Sequence, residues 1–238
     1  INAANPTPDL GEIESTNPCG EKPLLPYESC NLGSMDLSRH LNAERTGLDW
    51  DRLGATVELA VRFLDDVIDA NAYPFKAIED MTQSTRKIGL GVMGGADLLI
   101  ELGVPYASER ALELADEVMG FVHERAKRAS RELATVRGEF PAWKGSRWER
   151  GGEAPLRNAT LTTVAPTGTI ALLADCSSGI EPLFALSYVR RALDGKAELS
   201  YFHDSVEALL VAAGTWSEAA RARIATTGRL GPEDGDAA

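Results

Sequence analysis

Cysteine is scarce in this chain. Three thiols among 238 residues, an odd count, do not make the paired framework of a small secreted domain. A reducing, cytoplasmic setting is the expectation. Long hydrophobic runs are missing too; none approaches the roughly 18 residues that a membrane-spanning helix requires. No basic stretch followed by an apolar one stands at the start, so no secretory signal is legible. Positive charge is in deficit: 24 Lys and Arg face 36 Asp and Glu, a net charge of −12 with pI near 4.8. That argues against broad binding to nucleic acid or to an anionic membrane, and leaves open a small phosphorylated ligand in a local pocket. The three histidines, His40, His123 and His203, stand far apart and share no ligand spacing with the cysteines, so no metal site is expected. A starting methionine is absent, the chain opening on Ile1 and an Asn/Pro-rich run. The far end, residues 228–238, is loose and polar. The expectation is a piece of something longer.

What is present suits a globular fold. Hydrophobic residues make up 44% and charged residues 25%. A chain of this length buries roughly 70–75% of its unfolded surface without staples. Residues 1–34 carry Pro6, Pro8, Pro18, Pro23 and Pro26, which exclude long helices and leave room for one or two short strands. From Asp49 to Asn71, Leu53, Val57, Ala60, Val61, Leu64, Val67 and Ile68 recur at three- and four-residue steps, predicting an amphipathic helix capped by Asp49. A strand is expected at 88–92 and a helix at 94–102. A long helix follows from the cap Ser108 to Gly138, on whose surface His123 is placed. Residues 141–157 read as a polar loop holding Trp143 and Trp148. Strands are expected at 159–165 and 180–189, and a last helix at 205–213. Alternating strands and helices indicate an α/β architecture.

Three segments could carry chemistry. In Asn17-Pro18-Cys19-Gly20-Glu21, an extended strand would put the amide, the thiol and the carboxylate on one face, with Pro18 and Gly20 marking a tight loop. A buried cysteine near a turn beside a solvated Glu21 reads the same residues equally simply. In Pro166-Thr167-Gly168-Thr169-Ile170, a strand, a Gly/Thr turn and a helix start would aim N–H groups and hydroxyls at an anion. A plain helix cap by Thr167 or Thr169 is the alternative. Gly89-Leu90-Gly91-Val92-Met93-Gly94 matches a dinucleotide fingerprint, but polar residues 83–87 stand where its apolar strand belongs; close strand packing is the reading preferred. The turn at 176–182, holding Cys176, is assigned no chemistry.

The stretch from Asn17 through Glu21, followed by Pro23-Leu24-Leu25-Pro26-Tyr27-Glu28-Ser29-Cys30-Asn31-Leu32-Gly33-Ser34, resembles the radical-cysteine segment of the adenosylcobalamin-dependent (class II) ribonucleotide reductases. The resemblance runs on in order through 86–94, 157–160, 166–170 and 176–186; the last fifty residues add little. It implies that all 238 residues are part of the catalytic domain, a ten-stranded α/β barrel whose finger loop carries Cys19 into its centre. It further implies a thiyl radical on Cys19 that takes the 3′ hydrogen of a ribonucleotide, with Glu21 accepting the 3′-hydroxyl proton. Asn17 would bond the ribose hydroxyls. Cys30 would be half of a dithiol pair that reduces the 2′ position. Residues 17–21 and 166–170 would line the substrate, the latter holding its phosphates. Adenosylcobalamin is the implied cofactor, its contacts mostly elsewhere in the family's length. So are the second redox cysteine and the effector site, expected upstream. A thioredoxin-type reductant and a homodimer are the implied partners, and this piece alone is expected to be inactive. A nucleotide-binding module without chemistry, and a thiyl-radical enzyme with a glycyl-radical partner, are the rival readings.

Overall fold

The structure, a computed structural model, describes residues 1–192 and 197–231. The proline-rich start contains two short 3-10 turns and a small antiparallel hairpin, β1 (Ser15–Thr16) against β2 (Pro23–Leu24), with Ser15 opposite Leu24. The first long strand, β3 (Asn31–Asp36), pairs in parallel with β4 (Ile88–Met93), Asn31 facing Ile88 and Asp36 facing Met93. Parallel neighbours need a crossover. It is supplied by α1 (Trp50–Ala70) and α2 (Lys76–Thr85).

Residues 160–163 lie parallel along the other side of β4. Ile88 and Leu90 donate their amides to the carbonyls of Thr160 and Leu161 at 3.2 and 2.7 Å, and Thr163 donates back to Leu90 at 3.0 Å. The strand expected at 159–165 is therefore a short paired row. Its crossover passes through α3 (Gly95–Glu101) and α4 (Glu109–Arg137). Every residue of β4 is buried, as befits the middle of a parallel sheet covered on both faces. Gly91 lets the rows close up, since a Cβ there would stand 2.6 Å from the Thr163 carbonyl oxygen. The glycine pattern is strand packing, as expected. Among the described residues no barrel closes.

Helices α1 and α4 pack together over the sheet. Leu53, Val57, Val61, Leu64 and Ile68 meet Leu114, Val118, Val122 and Ala126 in one buried cluster with Ile88, Leu90 and Val92. The predicted caps are in place. Asp49 accepts the Arg52 amide and Ser108 that of Ala111, each worth about 1 kcal/mol. A charged network fixes the sheet's start. Fully buried Asp65 on α1 accepts Arg86 Nε at 2.9 Å, Asn158 Nδ2 at 3.0 Å, Arg137 Nη1 at 3.0 Å and Arg157 Nε at 3.3 Å. It ties the residues before β4, the end of α4 and the approach to the third row to one carboxylate.

Three expectations are corrected. Residues 141–157 are not simply a polar loop. Phe140, Trp143, Leu156 and Ala159 form a second small core, beside a one-turn helix α5 (Arg147–Arg150), because two tryptophans are too apolar to leave in solvent. The strand expected at 180–189 starts only at Ser187. Ser178 and Glu181 close a turn, Pro182 follows, and Ile180 and Phe184 stay exposed. His123 is half-buried, its Nδ1 3.1 Å from Thr162 Oγ1, instead of lying on the surface. Beyond a short helix α6 (Ile170–Ala174), an antiparallel pair, β5 (Ser187–Ala192) and β6 (Ala197–Phe202), leads to α7 (Asp204–Ala212), the expected last helix. A further helix, α8 (Glu218–Thr227), was not legible, since only Ala220 and Ile224 turn inward. Of the loose polar end, residues 232–238 lie outside the described residues.

Candidate functional site

The segment from Asn17 to Gly20 is a turn. Gly20 donates its amide to the Asn17 carbonyl at 3.0 Å, with Gly20 at φ +88°, so the extended strand that would align Asn17, Cys19 and Glu21 on one face is not formed. Asn17 at the first position, Pro18 at the second and Gly20 at the fourth carry the preferences of a tight turn. Asn17 closes it: its amide donates to the Lys22 carbonyl at 3.1 Å and its Oδ1 accepts the Lys22 amide at 2.9 Å. Cys19 is thereby carried, exposed, at the tip of the β1–β2 hairpin, and the buried-cysteine reading fails. Glu21 is half-buried, and its Oε2 is shielded from water without a partner among the described residues.

Lys22 escaped the sequence reading. Its side chain runs inward from the hairpin foot, and its Nζ donates to Ile88 O at 2.9 Å, Thr160 Oγ1 at 3.1 Å and Thr162 O at 3.1 Å. Burial holds its amine below the usual lysine range. No local signal could have found it, because its acceptors lie 66 to 140 positions away. A second tie joins the same elements, from Thr163 Oγ1 to Glu21 O at 3.2 Å.

Cys30 begins the approach to β3, half-buried, its Sγ 3.3 Å from the Asn31 carbonyl. Burial pushes its thiol up to about 11, against the opposing pull of Lys22 and Lys87. Lys87 and Glu28 form a buried pair, Nζ to Oε2 at 2.6 Å, and the same carboxylate oxygen accepts the Leu25 amide at 2.9 Å. The pair fixes the loop between the hairpin and Cys30. All three cysteines are free, so Cys19 and Cys30 are not joined.

In the 166–170 loop neither threonine caps with its side chain, and the cap alternative fails in that form. Thr167, buried at φ +55°, uses its Oγ1 to accept the Gly179 amide at 2.7 Å. Thr169 occupies the N-cap of α6 without a side-chain bond. The carbonyls of Thr167 and Thr169 take the amides of Ala171 and Leu173. Those of Gly168, Thr169 and Ile170 meet no acceptor among the described residues, on an exposed loop with open space above Gly168. That leaves three N–H groups of exposed residues without an acceptor among the described residues. Pro166 is exposed beside them.

The structure thus hangs the Cys19 hairpin on residues 160–163, and the same row runs straight into the 166–170 loop. Cys176 lies on the next turn, half-buried, its thiol pushed up to about 12 chiefly by burial and then by Asp36 and Asp97. Among the described residues no group of three or more His, Cys, Asp or Glu is placed to hold a metal, and no helix is long and apolar enough to cross a membrane.

The chain matches the family described as ribonucleotide reductase, barrel domain, over residues 1–155 and 149–234. A vitamin B12-dependent ribonucleoside-diphosphate reductase of Thermoplasma acidophilum is 53% identical over 230 residues, covering 97% of this chain and 30% of that protein. The protein of the same description from Mycobacterium tuberculosis is 57% identical over 190 residues, 80% of this chain and 26% of that one. Among solved structures, the Actinobacillus ureae class Id ribonucleotide reductase alpha subunit superposes with a TM-score of 0.76 at 24% identity, over 98% of this chain and 44% of that chain, a likeness of fold. The chain spans under a third of the length of these two curated relatives.

Proposed function

The chain belongs to the ribonucleotide reductase family as a stretch of its barrel domain, and from that membership we propose that the protein reduces ribonucleoside diphosphates to 2′-deoxyribonucleotides by thiyl-radical chemistry. One observation carries the reading. An exposed thiol, Cys19, stands at a hairpin tip pinned to the row that leads into a loop with three N–H groups that meet no acceptor among the described residues.

The roles are as follows. The sulfur radical of Cys19 takes the 3′ hydrogen, forming an S–H bond and leaving a carbon radical on the ribose. Glu21, whose Oε2 is free of internal partners among the described residues, accepts the 3′-hydroxyl proton. With its Oδ1 held by Lys22, Asn17 has its Nδ2 to offer the ribose hydroxyls. Cys30 and a second cysteine supply two electrons and become a disulfide as the 2′ oxygen leaves as water. The 2′ position is reduced and the dithiol oxidised, and the 3′ hydrogen returns from Cys19. Pro18 and Gly20 shape the turn beside the sugar. Pro166, Thr167, Gly168, Thr169 and Ile170 form the phosphate loop, with backbone donors as the main contact.

Adenosylcobalamin is proposed as cofactor because the relatives at 53% and 57% identity are vitamin B12-dependent ribonucleoside-diphosphate reductases. When bound, it would supply the radical that takes the hydrogen of the exposed Cys19 thiol. The same proposal places these residues in a ten-stranded barrel with the hairpin as its finger loop, in a homodimer regulated by a nucleotide effector and re-reduced by a thioredoxin-type protein in the cytoplasm.

Cys19→Ser in the full-length protein is the test. A serine O–H bond is much stronger than a thiol S–H bond, so the radical cannot be formed on the hydroxyl, and deoxyribonucleotide formation should vanish while nucleotide binding in calorimetry stays within about twofold. Substantial turnover by that variant would overturn the assignment.

A further inference from the structure

We propose that Asp97 is a positioning residue of the phosphate loop: through the turn at 176–182 it holds residues 166–170 in the conformation that leaves the Gly168, Thr169 and Ile170 amides open to a diphosphate. This rests on the reading of those residues as the substrate-phosphate site.

The 166–170 loop does not hold its own shape. Thr167 sits in the left-handed region at φ +55°, which a β-branched residue adopts only where its surroundings enforce it. The helix that follows, α6, has five residues, too few to fix its own start. The enforcement comes from the turn at 176–182. Gly179 donates its amide to Thr167 Oγ1 at 2.7 Å. It lies so close to the loop that a Cβ on it would stand 2.8 Å from the Ala165 carbonyl oxygen. Cys176 donates to the Ala171 carbonyl at 3.0 Å, so the same turn closes the end of α6. The turn is the backing of the loop.

The start of α3 grips that turn. Gly94 donates to Ser177 O at 2.8 Å and Gly95 to Gly179 O at 3.2 Å. A Cβ on Gly95 would crowd the Gly179 carbonyl oxygen at 3.1 Å, so the turn lies directly on the helix start. Asp97 completes the grip. Its Oδ2 accepts the Ser177 amide at 2.6 Å, and its own amide donates to Ser177 Oγ at 3.3 Å. The residue is 7% exposed. A hydrogen bond from a backbone N–H to an ionised carboxylate is roughly twice as strong as a neutral one. The ties from Gly94 and Gly95 are neutral, so Asp97 makes the strongest of these bonds. The path from its carboxylate to the loop is short: Ser177, Gly179, Thr167. The other oxygen, Oδ1, meets His203 Nε2 at 2.7 Å and ties α7 to the same point.

The test is steady-state reduction of cytidine diphosphate (CDP) by the full-length protein, with CDP binding followed by calorimetry. Asp97→Ala removes the acceptor of the Ser177 amide. It should raise KM and the CDP dissociation constant about tenfold, with kcat within about twofold. The amides of Ser177 and Gly179 should exchange faster with solvent, while those of α4 keep their protection. Asp97→Asn retains an oxygen for Ser177 and should recover most of the affinity. His203→Ala breaks only the tie to α7 and should leave KM within about twofold of the wild type. If Asp97→Ala does not fold, Gly179→Ala decides: its methyl meets the Ala165 carbonyl oxygen, displaces the turn from the loop and should raise KM in the same way. Unchanged CDP affinity in the deciding variant, or an equal loss in His203→Ala, overturns the proposal. If Thr169→Val still weakens CDP binding in that case, the phosphate loop stands; if it does not, both readings fall. A wild type that binds CDP without reducing it counts against the reductase chemistry alone, and the calorimetric comparison still decides.

Discussion

Thr167 and Thr169 sit two positions apart in one loop and have opposite assignments. The Thr167 hydroxyl is spent inside the protein on the Gly179 amide, whereas that of Thr169 faces outward. Thr167→Val should therefore destabilise the fold by about 1–3 kcal/mol, the cost of a buried N–H left unpaired. Thr169→Val should leave the thermal midpoint in place and weaken nucleotide binding by about 1–3 kcal/mol in calorimetry. Exchange of the two phenotypes would show that the loop presents its other side to the ligand. The sequence brought both threonines to notice but could not divide them, because the division depends on Gly179, twelve residues on. The same limit applies at the hairpin. Asn17, Cys19 and Glu21 stand out as a cluster, but Pro18 and Gly20 between them favour a turn over the strand that would align the three side chains.

At the scale of elements, α1 and α4 were legible to within a residue or two because each carries an apolar stripe and a side-chain cap. α2, which ends with Arg86 in the left-handed region at φ +47°, lacks such a stripe; of its residues only Thr82 and Thr85 are buried. The parallel order of β3, β4 and the third row is held by Gly91 at the crossing of two backbones, which the glycine pattern announces, and by Asp65 beneath three arginines, which no local pattern shows. Gly91→Ala drives a methyl against a carbonyl of the main chain, where nothing flexible can yield, and should cost about 1–3 kcal/mol in urea unfolding. Asp65→Ala leaves Arg86, which is 3% exposed, without its buried partner, and about 3–5 kcal/mol is expected, enough to approach global unfolding of a marginal domain. Arg86 also donates to Asp69, Nη1 to Oδ1 at 2.8 Å and Nη2 to Oδ2 at 2.9 Å; a loss below about 1 kcal/mol at Asp65 would mean that Asp69 alone carries Arg86.

For the molecule as a whole, the question is how residues 187–192 and 197–231 are held to the sheet. They have their own core, Val206, Leu210 and Ile224 with Phe202 and Trp216 around it. Between this unit and the rest lies an open cavity of about 1010 Å³, lined by Arg39, Cys176 and Phe184 among others. Polar contacts bridge it. His203 Nε2 meets Asp97 Oδ1 at 2.7 Å, and Ser205 Oγ donates to Glu101 Oε1 at 2.6 Å, so both cross from α7 and its cap to α3. Burial alone would raise the Asp97 carboxyl, but the bond to His203 and the Ser177 amide hold it below the ordinary 3.8. A carboxyl depressed in the folded state contributes stability above its unfolded value and loses it as pH falls through the folded one. The joint should therefore be intact at neutral pH and weaken only once the pH drops below 3.8. Asp97→Asn removes the charge on one side of that bond. By hydrogen exchange of the α7 amides, the variant should open more easily at pH 7 by about 1.5–3 kcal/mol. Its difference from the wild type should shrink as pH falls below 3.8, because protonation then does to the wild type what the substitution has done already. A difference that stays constant across that window would mean that the cap of α7, and not the charge on Asp97, holds the two parts together.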